Sequence, residues 1–138
     1  MSANPTLIST VRDVAIRIQN ADGTALKSLG IAAPAAGSRI KALHITSDDT
    51  AAQTLQIYKT IGGVDYLLGE IAVAIGAGTD GATNAVNGLA GTRMPQLQTD
   101  GISKWLDVAN GTTINFKSKV AVTAGKTIYI TAEIGDFT

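Results

Sequence analysis

Apolar and polar residues alternate with a period of two through much of this chain, most clearly near its end. In TTINFKSKVAV, residues 112–122, Ile114, Phe116, Ser118, Val120 and Val122 fall on one face of an extended backbone, and Asn115, Lys117 and Lys119 on the other. KTIYITAEI repeats the pattern: Ile128, Ile130, Ala132 and Ile134 share a face, with Thr127, Tyr129, Thr131 and Glu133 opposite. One apolar face at period two predicts antiparallel strands covering a core. The intervening Thr123-Ala124-Gly125 is short enough to predict a hairpin between them.

The same period recurs upstream. Residues 13–20 place Val14, Ile16 and Ile18 on one side and end in the turn residues Asn20-Ala21-Asp22-Gly23. Pro34 and Gly37 break any element across 26–38. A strand is expected over 40–46, with Leu43 and Ile45 inward and Lys41 off the alternation. Leu55 and Ile57 alternate in 53–60, and Gly62-Gly63 is a strong hairpin signal leading into 65–74, where Leu67, Gly69, Ile71 and Val73 share a face. Residues 40–74 therefore read as three consecutive antiparallel strands. From 76 to 102 the period disappears; a short helix is expected around 83–89, with Asp80 or Thr83 as its N-cap, and a short strand near 94–98. In the strand expected over 103–109, the adjacent Trp105 and Leu106 must lie on opposite faces, and Asn110-Gly111 forms a turn.

These elements predict an all-β fold: an antiparallel β-sandwich, jelly-roll-like, of about eight strands, with one long loop that holds the short helix. An immunoglobulin-like sandwich is the competitor, but the chain lacks Cys and the long 76–102 connection fits it poorly. Residues 1–12 are expected as an N-terminal arm and 13–138 as a single domain. The chain holds 21 Ala, 17 Thr and 15 Gly among 138 residues, so its core is thin and association with further copies is the expected way to bury more surface.

Charge and composition exclude some partners. Eleven basic and eleven acidic residues cancel without a basic cluster, and aromatics are 4%, which argues against nucleic acid. No stretch approaches the roughly 20 apolar residues of a membrane span, and the chain is expected to be soluble where it is made.

Candidate chemistry is sparse. His44, the one histidine, would have to serve any Ser-His-Asp arrangement with Ser47 or Ser103, and no Gly-x-Ser-x-Gly elbow accompanies it. Asp48-Asp49 suggests calcium, but an adjacent pair diverges in an extended backbone and is better explained as turn-forming. Glu70 and Glu133 are the carboxylates that would make an acid/base pair if brought together. Gly76, Gly78 and Gly81 have the spacing of a phosphate loop without its Gly-Lys-Ser/Thr or following helix. Trp105, Tyr58, Tyr66 and Tyr129 would line a groove or fill contacts. No catalytic residue, metal or cofactor is expected.

Residues 46–69, TSDDTAAQTLQIYKTIGGVDYLLG, and 111–137, GTTINFKSKVAVTAGKTIYITAEIGDF, resemble small proteins encoded near the major capsid protein of tailed bacteriophages. The resemblance covers a little over a third of the chain and implies a jelly-roll capsid decoration, or cement, protein without a cofactor. Its expected partner is the major capsid protein, on the outer face of the head, in a virion assembled in the host cytoplasm. It is expected to be a homo-oligomer, a trimer in preference to a dimer. The alternative is a receptor- or glycan-binding module of a tail or fibre. Candidate contact residues are Pro5, Leu7 and Ile8 in the arm, and Asn84, Val86, Leu89, Arg93 and Met94 in the long loop, the two segments without a core face in the sequence pattern.

Overall fold

A computed structural model describes residues 8–90, 94, 98–99 and 104–138. They form ten strands: β1 (Ile8–Gln19), β2 (Lys27–Ser28), β3 (Ser38–Ser47), β4 (Gln53–Ile61), β5 (Val64–Val73), β6 (Val86–Asn87), β7 (Gln98–Thr99), β8 (Lys104–Val108), β9 (Thr113–Ser118) and β10 (Thr127–Phe137). Two antiparallel sheets result. One runs β1-β10-β3-β8-β7, with β6 also paired to β3; the other runs β2-β9-β4-β5. The protein is thus an all-β sandwich.

The inner faces are those the alternation predicts, except at Val120, which lies beyond the end of β9 and is 66% exposed. Ile40, Leu43, Ile45, Ile128, Ile130 and Ile134 from the first sheet pack on Leu55, Ile57, Ile71, Ile114 and Phe116 from the second, all fully buried or nearly so. Two irregularities switch faces. Opposite β3, Glu133 pairs with Ala42 and Ile134 with Ile40, so Lys41 is an extra, bulged residue. Before it Ser38 and Ile40 point inward, after it Leu43, Ile45 and Ser47 do, which accounts for Lys41 breaking the alternation. In β5, Ile57 pairs with Gly69 but Tyr58 with Leu67, leaving Leu68 as the bulge. Leu68 packs on the core and Leu67 is exposed, the reverse of the expected face.

Four further expectations are corrected. β9 and β10 do not pair with each other: Lys126 N does donate to Thr123 O in a turn, but the link carries the chain from one sheet to the other. Of the strands in 40–74, only β4 and β5 form a hairpin, because β3 lies in the opposite sheet. Their turn is Gly62-Gly63 with φ of 58° and 80°, the left-handed pair that a two-residue hairpin loop needs. No helix forms over 83–89, where Val86–Asn87 instead adds a two-residue strand to β3. Asp80 does cap, but it caps a turn, its Oδ1 accepting from Ala82 N and Thr83 N. Finally, residues 8–12 of the expected arm belong to β1 and pair with the end of β10. Residues 1–7 lie outside the described residues.

Candidate functional site

The expected contact residues are largely drawn into the fold. Ile8 starts β1 opposite Phe137, close enough that a Cβ on Gly135 would sit 2.6 Å from its Cδ1. Asn84 is exposed, Val86 is half-buried against the core, and Leu89 and Met94 are buried in it. As folded, neither Leu89 nor Met94 can reach a partner. Pro5, Leu7 and Arg93 lie outside the described residues. The long connection lacks a period because it anchors at isolated points, Ala77, Leu89 and Met94, rather than along a face. Backbone bonds from Ser47 N to Ala77 O (2.9 Å), Gly78 N to Thr83 O (2.7 Å) and Gly88 N to Leu43 O (2.9 Å) fix it to β3 and to itself. Gly76, Gly78 and Gly81 serve these turns.

The candidate chemical groups are dispersed. His44 is exposed on the outer face of β3, between Thr131 and Asn87. Glu70 and Glu133 lie on the outer faces of different sheets, so they do not pair. Glu70 ion-pairs with Lys119 (3.0 Å) and accepts from Gln56 Nε2 (2.8 Å), and these bonds, Lys119 foremost, hold its pKa below the usual value. Among the described residues no group of three or more His, Cys, Asp or Glu is placed to hold a metal.

Asp48 and Asp49 are structural clamps. Asp48 Oδ1 accepts from Thr127 N (2.7 Å). Asp49 is 1% exposed, and its carboxylate accepts from Ala51 N (2.9 Å), Gln53 Nε2 (2.8 Å) and Thr123 N (3.1 Å). Burial alone would raise its pKa; the bonds from Thr123, Ala51 and Gln53 outweigh burial and bring it down to about 2. Both residues thereby tie the β3–β4 connection to the link between β9 and β10.

Surface character is concentrated instead at one end. β9 pairs with β4 only as far as Thr60, while the β4–β5 hairpin continues to its glycine turn. Val64 pairs with Ile61 and Tyr66 with Lys59, continuing the inward face of Leu55 and Ile57 beyond the point where the other sheet covers it. Ile61, Val64 and Tyr66 are each about half exposed, and so is Leu67 on the outer face. Four of the nine exposed large apolar side chains among the described residues therefore fall within seven positions. Beside the hairpin lies a cleft of about 440 Å³ lined by residues including Lys59, Arg39, Asp107 and Phe137. Arg39 makes a bidentate pair with Asp107 (2.7 and 3.2 Å) and stacks over Trp105 (4.5 Å) and Phe137 (5.2 Å). Trp105 is thus the outward member of the Trp105–Leu106 pair, and Leu106 packs on the core. Lys59 Nζ donates to Asp107 O across the cleft (3.2 Å).

Sequence reasoning points to this end only through Tyr66 and Trp105, two of the four aromatic residues expected to line a groove or fill contacts, and not to Ile61, Val64 or Leu67. The signal for those three is present in IGGVDYLL, where apolar residues occupy both parities, so that no single buried face can take them all. No protein-family model matches the chain, and no curated protein matches it by sequence.

Proposed function

We propose that this protein is a virion structural protein, a capsid decoration protein that binds major capsid subunits on the outer face of a phage head. One observation carries the reading: four of the nine exposed large apolar side chains among the described residues cluster on a hairpin end that outreaches its own sandwich, which suits burial against a partner. The resemblance of residues 46–69 and 111–137 supports it. So does the strand order. Lettered B to I in chain order, the eight strands other than β6 and β7 run BIDG and CHEF, the order of a jelly roll built from two Greek keys.

In this reading many copies occupy a fixed lattice of sites, each contributing modest surface, and the shell gains strength from their number. The copies associate as trimers, which adds buried surface to a core rich in small residues. Zero formal net charge leaves little long-range attraction to screen, so binding depends only weakly on salt. The test is to add purified protein to heads that lack it and image them. Density on the outer head surface, retained at high salt, is the expected result. Failure to bind, or density on the tail, would refute the proposal, and the tail location would favour the glycan-binding alternative.

A further inference from the structure

The chain contains two Asn-Gly dipeptides, Asn87-Gly88 and Asn110-Gly111, and the fold gives them opposite chemistry. In an Asn-Gly pair the glycine nitrogen, once deprotonated, attacks the Asn Cγ. A C–N bond forms, the side-chain nitrogen leaves as ammonia after taking a proton from water, and a succinimide remains. Water then opens either carbonyl of that ring, giving Asp or isoaspartate. The reaction needs an accessible glycine N–H and room for the ring.

Asn87-Gly88 has neither. Gly88 is buried and its N–H donates to Leu43 O at 2.9 Å. The space above it is filled: a Cβ there would lie 2.4 Å from Leu43 Cδ2. The Asn87 side chain is also held away, its Oδ1 accepting from Leu89 N at 3.0 Å. Asn110-Gly111 has both: one hydrogen bond holds its side chain too, to Ala33 O, so the difference lies in the glycine and the space around it. The two residues are exposed at the centre of a turn closed by Thr112 N to Ala109 O (3.1 Å). The Gly111 N–H has no hydrogen-bond partner among the described residues, and no atom lies within 4 Å of where a Cβ would be.

We propose that Asn110 is a site of spontaneous deamidation, and that its conversion releases a brace between the β8–β9 turn and the segment leading into β3. The brace is Asn110 Nδ2 donating to Ala33 O at 2.7 Å. After conversion a carboxylate oxygen faces that carbonyl in place of a donor, and isoaspartate also lengthens the turn backbone by one carbon. Ala33 is buried beside Ile31 and Leu29, so the brace seats a covering segment of the core. This inference is independent of the proposed function.

The experiment incubates the folded protein, and in parallel the urea-unfolded protein, in warm, mildly alkaline buffer, and follows both peptides by mass spectrometry. Expected is conversion to Asp and isoaspartate at Asn110 in the folded protein with Asn87 unchanged, and conversion at both in urea. An unchanged Asn110 in the folded protein, or Asn87 converting as fast, overturns the assignment. Asn110→Asp is expected to melt below the wild type and to be cut sooner by protease within 29–36. Equal melting and equal cleavage would show that the brace is not released.

Discussion

The β4–β5 hairpin and the β9–β10 pair have the same alternation of apolar and polar residues and opposite fates. Between β4 and β5 the link is two glycines, both left-handed, and the strands have no choice but to pair. Between β9 and β10 it spans residues 119–126, long enough for the chain to step across the core, so that both strands turn their apolar faces toward each other from opposite sheets. Alternation therefore specifies a face to bury, and the connection specifies which strand lies beside which. The two regions also end differently. The crossover is pinned by Val122 packing inward and by Asp48 and Asp49 holding Thr127 and Thr123, with the rest of the link largely exposed, whereas the hairpin runs out beyond its cover.

The sharpest break of this comparison is at the crossover core. Phe116 is fully buried between the sheets. Replacing it with Ala removes a large ring from a packed interior and is expected to cost about 3–5 kcal/mol in a denaturant titration. A cost below about 0.5 kcal/mol would mean that β9 does not face the core.

Asp49 is the next largest. Asn in its place keeps the shape but turns an NH2 toward donors from Ala51, Gln53 and Thr123, leaving at least one unpaired in a buried site. Asp49→Asn is expected to cost roughly 1–3 kcal/mol. The same carboxylate sets an acid dependence. Its folded pKa of about 2 lies below the unfolded value of about 3.9, so its contribution is complete above about pH 5 and is lost as pH falls through about 2, on the order of 2 kcal/mol in all. Asp136, held below its usual pKa by Arg12 and Ser38, acts in the same direction. Urea titrations between pH 6 and pH 2 should show a shallower acid loss in Asp49→Asn than in the wild type; equal slopes would remove Asp49 as its source.

How far this was legible in the sequence follows from the same physics. Strand positions and inward faces were readable because side-chain direction is local, as at Ile128, Ile130 and Ile134. The exception of Lys41 was visible as a break in period, and its cause, a bulge against Glu133 and Ile134, required the partner strand. Sheet membership was not readable, because an eight-residue link is compatible with either pairing or crossing. The exposed apolar cluster was not readable for a related reason. Absence of a period predicts a free segment, yet Leu89 and Met94 anchor this segment one residue at a time, while the exposed cluster lies inside a strongly patterned hairpin.

At the turn, Gly63 sits at φ 80°, a conformation that costs an L side chain roughly 1–2 kcal/mol. Nothing lies within 4 Å of its missing Cβ, so backbone strain is the whole effect. Gly63→Ala is expected to lower stability by about that amount. A neutral result would show that the turn can relax into another form and that the link does not dictate the pairing.

The smallest stability effect is expected where the proposed functional effect is largest. Ile61 and Val64 are paired across the hairpin and half exposed, so polar substitution removes little buried area. The double variant Ile61→Ser, Val64→Ser should therefore stay within about 0.5 kcal/mol of the wild type in urea titration. If this end meets a partner, the same variant should lose most of its binding to heads, because polar hydroxyls would replace the apolar groups that the partner covers. Ala substitution at Val120, which is more exposed but isolated from the hairpin, serves as the control and should bind normally. Equal binding by the double variant and the wild type would separate the exposed hairpin from any docking role. A large loss of stability would instead place Ile61 and Val64 in the core, and would erase the contrast between a crossover pinned to the core and a hairpin that outruns it.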